Sequence, residues 1–348
     1  MNIVGESLDD LLIKTYKKLL SKKAEFVNSV KATKGENREI LGATLHLKDP
    51  RARVSRSETK GTIFSCLGEL LWYLAGEDQL EFIEYYIEKY SQFAEENLVI
   101  HGAYGPRIFR GPQNQFDIVR NKLKSHDGTR KAVIQIFDAK DLLRSYKDVP
   151  CTCCLQFFVR NSKLDLIVFM RSSDAFMGLP HDIFAFTMIQ EVMARSIGCD
   201  IGTYRHMAGS LHLYDKNFQS AKRYIEEGYQ SNMPMPIMPV GDPWPSIKKV
   251  LDLEEKIRRG ERILIPDDLD RYWSDLVRVL LFYSNSKAKR RTKRNVEMAE
   301  SIISTISFPE VYNIYLETRK RKDSKKINTL DQPELDFFDF INGEKNEI

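Results

Sequence analysis

The sequence has no run of 18 apolar residues, so nothing in it reads as a membrane-spanning helix. Its first six residues lack the basic-then-apolar order of an export signal. Cysteine is scarce and odd in number, five in all, which argues against a disulfide framework and for free thiols in a reducing compartment. These absences set the expectation of a cytoplasmic protein. Net charge is only +4, too little for a dedicated nucleic-acid binder but compatible with a phosphate-bearing small ligand. No internal repeat is present. Hydrophobic material is plentiful: 42% of 348 residues, with 19 Phe, enough for a sizeable core in one large domain or two.

The chain is organised around Pro150-Cys151-Thr152-Cys153-Cys154-Leu155-Gln156 and the residues up to Ile197. Two apolar-rich runs, 152–159 and 164–170, flank Arg160-Asn161-Ser162-Lys163 and read as a hairpin. Then come Arg171-Ser172-Ser173-Asp174 and Gly178-Leu179-Pro180-His181-Asp182. A long apolar segment to Ile197 reads as a buried helix, with Pro180 near its start and Gly198 just past its end. A thiol, an arginine and a carboxylate therefore fall on one strand–loop–helix unit, and an active site is expected there. Cys151 and Cys154 formally make a Cys-x-x-Cys pattern. On a strand they would face opposite ways, and no second pair exists to complete a zinc site. Buried core thiols are the other reading, for Cys153, Cys154, Cys66 and Cys199.

This stretch resembles the thymidylate synthase superfamily. The shared motifs are Pro150-Cys151, Gln156 five residues on, Arg171-Ser172-Ser173-Asp174, and Gly178-Leu179-Pro180 with His181-Asp182 after it. The family's Asn at the last position is Asp182 here. The cytidylate and deoxycytidylate hydroxymethylases are the branch that carries Asp there. The resemblance covers roughly residues 34–216. It implies an α+β fold, a mixed sheet with helices, with two sheets packed back to back in a homodimer. The expected layout is a catalytic domain over 1–245 and a C-terminal helical extension, 246–348, packed on the same domain.

Further matches assign roles by resemblance. Glu69, in Gly68-Glu69-Leu70-Leu71-Trp72, matches the acid that handles water and protons around the pyrimidine, and Tyr104 joins it as a catalytic residue. Burial among Leu and Trp would raise the Glu69 pKa and suit it to proton transfer. Arg171, Ser172, Gln156, His212 and Tyr214 are expected on the nucleotide. Lys34, with Arg38 as a second candidate, matches the phosphate-gripping loop. Arg130 and Lys131 match the arginines that cross a dimer interface to the partner's phosphate. Asp174, Gly178 and Tyr90 are expected at the folate, 5,10-methylenetetrahydrofolate. Tyr90 and Phe93 stand where the family has tryptophans. The family's apolar closing tail has no recognisable copy.

Residues 6–32, 62–75, 79–97 and 115–124 read as helices, and 40–47 and 132–137 as strands. Residues 246–320 read as charged amphipathic helices. The basic run 287–294 reads as a solvated face, with a polyanion contact as the alternative.

The chemistry starts from the nucleophile. A thiolate adding to C6 of a pyrimidine makes C5 nucleophilic toward a one-carbon electrophile, and Cys151 takes that role with Arg171 positioned to lower its pKa. Asp182 decides the base, accepting from cytosine N4 and sharing a proton with N3. An exocyclic methylene then takes either hydride, giving methyl, or water, giving hydroxymethyl. Tyr90 and Phe93 in place of tryptophan predict water. The expected activity is hydroxymethyl transfer to CMP or dCMP, with methylation of dUMP or a non-catalytic nucleotide- or RNA-binding homologue as alternatives.

Overall fold

The computed structural model describes residues 1–21, 27–32, 35–112, 114–287 and 293–330. In chain order the elements are β1 (Asn2–Gly5), α1 (Leu8–Leu19), β2 (Asn28–Ala32), β3 (Gly35–Leu47), α2 (Ile63–Leu74), α3 (Leu80–Tyr86), α4 (Tyr104–Phe109) and α5 (Gln115–Ser125). Then come β4 (Val133–Gln135), β5 (Thr152–Arg160), β6 (Lys163–Asp174), α6 (Leu179–Ile197), β7 (Asp200–Tyr214) and α7 (Phe218–Glu226). The last four are α8 (Trp244–Arg258), α9 (Arg271–Ser286), α10 (Lys293–Thr305) and α11 (Pro309–Leu330). Among the described residues no helix is long and apolar enough to cross a membrane.

The strands form one mixed sheet in the order β1-β3-β7-β6-β5-β4, with β2 added to β3. The β5–β6 hairpin turns at Asn161 and Ser162, both at positive φ (50° and 58°), the conformation that matches the twist of a tight hairpin. β6 and β7 are parallel neighbours joined through α6, a β-α-β unit whose helix must lie on the sheet face. α6 does so with 15 of its 19 residues buried, and it ends where Gly198 takes the left-handed conformation at φ 76°. The fold is α+β, as the sequence implied.

Two sequence expectations need correction. The helix read over 6–32 stops at Leu19, and Asn28–Ala32 is a strand. Asn28-Ser29-Val30-Lys31 carries no apolar stripe for a helix to bury, and it pairs antiparallel with β3 instead. The helix read over 79–97 stops at Tyr86, where Ile87 leaves helical geometry, and a 3-10 turn covers Glu88–Phe93. A continuous helix would put Tyr86 and Tyr90 on one face. The break sends the Tyr86 hydroxyl to Glu254 (2.8 Å) and the Tyr90 hydroxyl to Glu69 (2.6 Å).

The C-terminal helices share the main core. Phe64 of α2 stacks on Phe282 and Tyr283 of α9, with centroids 6.0 and 5.4 Å apart. Arg53, fully buried, is ion-paired with Glu191 of α6, whose other oxygen accepts from the Met238 amide. Asp275 of α9 accepts from the Ser307 and Phe308 amides just before α11. Residues 331–348, and with them the terminal Phe337–Ile341 stretch, lie outside the described residues, as do 288–292 of the basic run.

Candidate active site

Topology gathers the candidate residues at one end of the sheet. Parallel pairing sets Ser172 opposite Ser210 and Asp174 opposite His212, so the ends of β6 and β7 coincide. The antiparallel hairpin returns the start of β5 to the same end, where the Arg171 amide donates to the Cys151 carbonyl at 2.8 Å. A bulge between Thr152 and Cys154 shifts the pairing there, and such a bulge re-aims the side chains beside it. The Arg171 guanidinium is exposed and holds the Pro150 and Val149 carbonyls, each at 2.9 Å. It thereby ties the chain on both sides of the hairpin into one rim.

Glu69 lies across from this rim on α2, 6% exposed. Its Oε1 accepts from the Tyr90 hydroxyl at 2.6 Å and the Tyr73 hydroxyl at 3.0 Å. Burial raises its pKa, and the two hydrogen bonds offset part of that. Asp182, in the first turn of α6, is pushed up further. Loss of water is the main cause, and the Glu69 and Asp174 carboxyls add to it. The residue keeps some exposed surface, but two neighbouring carboxyls oppose its ionisation regardless of depth. Asp182 therefore gives up its proton less readily than an ordinary carboxyl, and while protonated it has one donor and one acceptor to offer.

Tyr104, buried, completes the floor. It stacks between Tyr73 and Phe186, with centroids 5.2 and 6.1 Å away. Its oxygen accepts from the Thr152 amide at 3.3 Å, beside Cys151, and its own pKa is raised by burial and then by Cys151 and Asp182. Cys151 is partly exposed, and burial pushes the thiol of Cys66 up to about 12 and that of Cys199 to about 11. His212 and Tyr214 pack edge to face, 5.0 Å apart, at the end of β7.

Asp174, partly exposed, accepts from the Phe176 and Met177 amides through Oδ1 at 2.9 and 3.0 Å. Gly178 caps α6, and its carbonyl accepts from the His181 and Asp182 amides at 2.9 and 3.0 Å. His181 bridges the Ser65 hydroxyl (2.9 Å) and the Met177 carbonyl (3.1 Å), and burial together with the charge of Lys60 lowers its pKa to about 3.

Three candidates, Gln156, Arg130 and Lys131, stand apart from this cluster. Gln156 points away from the core face of β5, and its amide donates to the Arg130 carbonyl at 3.0 Å. Arg130 and Lys131 are exposed before β4, outside the Cys151 cluster. Lys34 lies outside the described residues, and Arg38, the second choice for that loop, turns to the Leu20 carbonyl at 3.0 Å. Sequence reading missed Tyr73, although it sits four residues after Glu69 on one helix, the spacing that brings two side chains together. It also missed Lys60, a residue only 7% exposed, whose ammonium is 3.7 Å from the Met177 sulfur and 4.5 Å from the Phe176 ring centroid. No local pattern marks Lys60.

The sequence model of the thymidylate synthase family matches residues 30–250. The chain belongs to the thymidylate synthase family. Among its relatives, the deoxyuridylate hydroxymethyltransferase of Delftia phage PhiW-14 is 28% identical over 225 residues, 61% of this chain and 62% of that one. The enzyme of the same name from Bacillus phage SP01 is 30% identical over 192 residues, covering 51% and 50%. That of Pseudomonas phage M6 is 30% identical over 180 residues, covering 50% of each. The chain thus spans between half and 62% of the length of the curated relatives it matches. The thymidylate synthase match ends inside α8, so α9 to α11 lie outside it.

Proposed function

We propose that this thymidylate synthase homologue is a pyrimidine nucleotide C5 hydroxymethyltransferase. The observation that carries this reading is the Tyr90 hydroxyl hydrogen-bonded to buried Glu69 at 2.6 Å. A tryptophan there would present a broad apolar face with a single N–H donor and no acceptor. A tyrosine oxygen paired with a carboxyl presents two polar atoms, so the pocket beside C5 can hold water. Hydride transfer needs that space dry.

Cys151 is the nucleophile that adds to C6. Arg171 and Ser172 take the 5′-phosphate, His212 and Tyr214 the sugar, and Asp182 the base edge. Glu69 and Tyr104 move the protons at C4 and C5. 5,10-methylenetetrahydrofolate supplies the one-carbon unit as an electrophile. The residues present fit it: the ammonium of buried Lys60 lies against a sulfur and a ring face, and the partly exposed Asp174 carboxylate is held in place by two backbone amides on its Oδ1.

The protonated form of Asp182, favoured by its burial and its carboxyl neighbours, bears on the base. Facing uracil, its carbonyl oxygen accepts from N3–H and its hydroxyl donates to O4. Facing cytosine, the hydroxyl donates to N3 and the carbonyl oxygen accepts from N4–H. One residue therefore serves either base. The three relatives are named for deoxyuridylate, so dUMP is the first substrate in this proposal. CMP or dCMP is the second, favoured by Asp182 standing where the family has Asn. The test is tritium release from C5-labelled dUMP, dCMP and CMP with the folate, together with product mass and dihydrofolate absorbance. Hydroxymethyl product without dihydrofolate is expected. Methyl product with stoichiometric dihydrofolate would overturn the reading, and release from no nucleotide would make the chain a binding protein.

A further inference from the structure

The sheet brings one more carboxylate beside the residues assigned to the sugar. Register sets Glu39 of β3 directly opposite His212 of β7, and Asn37 opposite Tyr214. On the other side of β7, Ser172 of β6 stands opposite Ser210. Residues paired across strands turn their side chains to one face, so Glu39, Ser210, His212, Tyr214 and Ser172 share it. The Ser210 hydroxyl donates to Glu39 Oε2 at 2.6 Å. That bond leans the carboxylate over β7, toward Ser172, and holds it there. Glu39 is half-buried, and among the described residues neither a lysine nor an arginine pairs with it. Its neighbour on β2 is Asn28, and the adjacent cation, Arg38, is turned away to the Leu20 carbonyl at 3.0 Å. Among the described residues Glu39 Oε1 accepts no hydrogen bond. A carboxylate taken partly out of water without a cation is costly unless a donor comes to it. A pair of neutral hydroxyls would tie the two strands without that cost.

We propose that Glu39 is a specificity residue for the sugar, its carboxylate accepting a hydrogen bond from the 3′-hydroxyl of the nucleotide, with Ser210 as the positioning residue that orients it. The inference rests on the nucleotide site read above, with phosphate on Arg171 and Ser172 and sugar on His212 and Tyr214. The phosphate is an anion and has no proton to offer a carboxylate. The base, tied to Cys151 just before β5, is out of reach, because β7 and β6 lie between β3 and β5. The hydroxyl beside His212 is the donor that remains, and a deoxyribonucleotide keeps only the one at 3′. Hydrogen bonds to a charged acceptor are the stronger kind. A nucleotide without that hydroxyl leaves a half-buried carboxylate unanswered, and the site rejects it for that reason.

The test is equilibrium binding to the full chain, with dUMP and dCMP each compared with its 2′,3′-dideoxy form. Glu39→Ala removes the acceptor, and Ser210→Ala leaves it without its orienting bond. For whichever deoxynucleotide binds more tightly, Glu39→Ala should weaken binding by about tenfold or more, the range for a lost hydrogen bond to a charged group, and change the dideoxy form by less than about twofold. Ser210→Ala should weaken the first by about threefold and leave the second unchanged, since it loosens the carboxylate without removing it. The wild-type preference for the 3′-hydroxyl should therefore shrink in both variants. Should Glu39→Ala fail to fold, Ser210→Ala carries the same comparison. Equal weakening of both forms would make the pair a structural tie between strands, and unchanged binding of both would remove Glu39 from the sugar; either result overturns the proposal. A wild-type protein that binds neither nucleotide would instead overturn the nucleotide site on which it rests.

Discussion

Cys151 sits where the β5 bulge begins, with its carbonyl held by the Arg171 amide, so its backbone is fixed independently of its sulfur. Cys151→Ala should therefore abolish turnover and leave nucleotide binding near wild type, measured by equilibrium binding of dUMP and dCMP. Cys153→Ala and Cys154→Ala should affect stability only, and equal loss of activity in all three would point away from a nucleophile. Asp182 gives a prediction with a pH sign. Its folded pKa is raised above the ordinary carboxyl value by burial and by Glu69 and Asp174. The folded state thus holds the proton more tightly than the unfolded chain. That contribution to stability is full in acid and is lost as pH rises from the ordinary carboxyl range through the raised pKa. Asp182→Asn removes the titration, so the variant's Tm should gain on wild type steadily from pH 5 to pH 8. The amide presents its oxygen to N3–H and its NH2 to O4, so dUMP turnover should survive. Any dCMP turnover should fall by about tenfold or more, since the amide can hydrogen-bond N3 but has no acidic proton to give it as Cys151 attacks C6. Unchanged dCMP turnover would remove Asp182 from the base edge.

Helix α2 carries Glu69 and Tyr73 on one face and packs Gly68 against the Tyr86 ring, where a Cβ would collide. Gly68→Ala should destabilise the protein by about 1–3 kcal/mol in denaturant unfolding, because a ring bonded to Glu254 has little room to retreat. An unchanged midpoint would mean that α3 slides freely on α2. Much at this scale was legible in the sequence. Pro180 and Gly198 bracketed α6 closely, and the turn residues 161 and 162 placed the hairpin. The apolar stripe from Ile63 to Leu74 marked α2. What was not legible depends on partners far along the chain. β2 is a strand because β3 offers it an edge, and α3 stops because Tyr86 and Tyr90 answer to Glu254 and Glu69. Gln156 carried a family motif, yet strand alternation turns it to the other face, beside Arg130.

The whole molecule leaves one sheet face open. Val133 and Met207 are exposed on it, 39% and 36%, and Gln156 shares it beside Arg130. Back-to-back packing of two copies would cover these residues and carry Arg130 toward the other copy's phosphate. Inactive Arg130→Ala and inactive Cys151→Ala proteins, mixed and allowed to exchange subunits, should regain activity at one site per heterodimer. No recovery after exchange shown by mass would confine Arg130 to its own chain. The sheet's order has another consequence, for a chain still being made. β7 lies between β3 and β6, so the centre of the sheet cannot close until the last of its strands emerges. Cys151, Arg171 and Asp182 will all have left the ribosome by then without a pocket to form. A stalled nascent chain ending near residue 200 should fail to retain nucleotide. It would also expose two strand edges that pair with whatever edge is offered, which makes this interval of synthesis the time of greatest need for a chaperone.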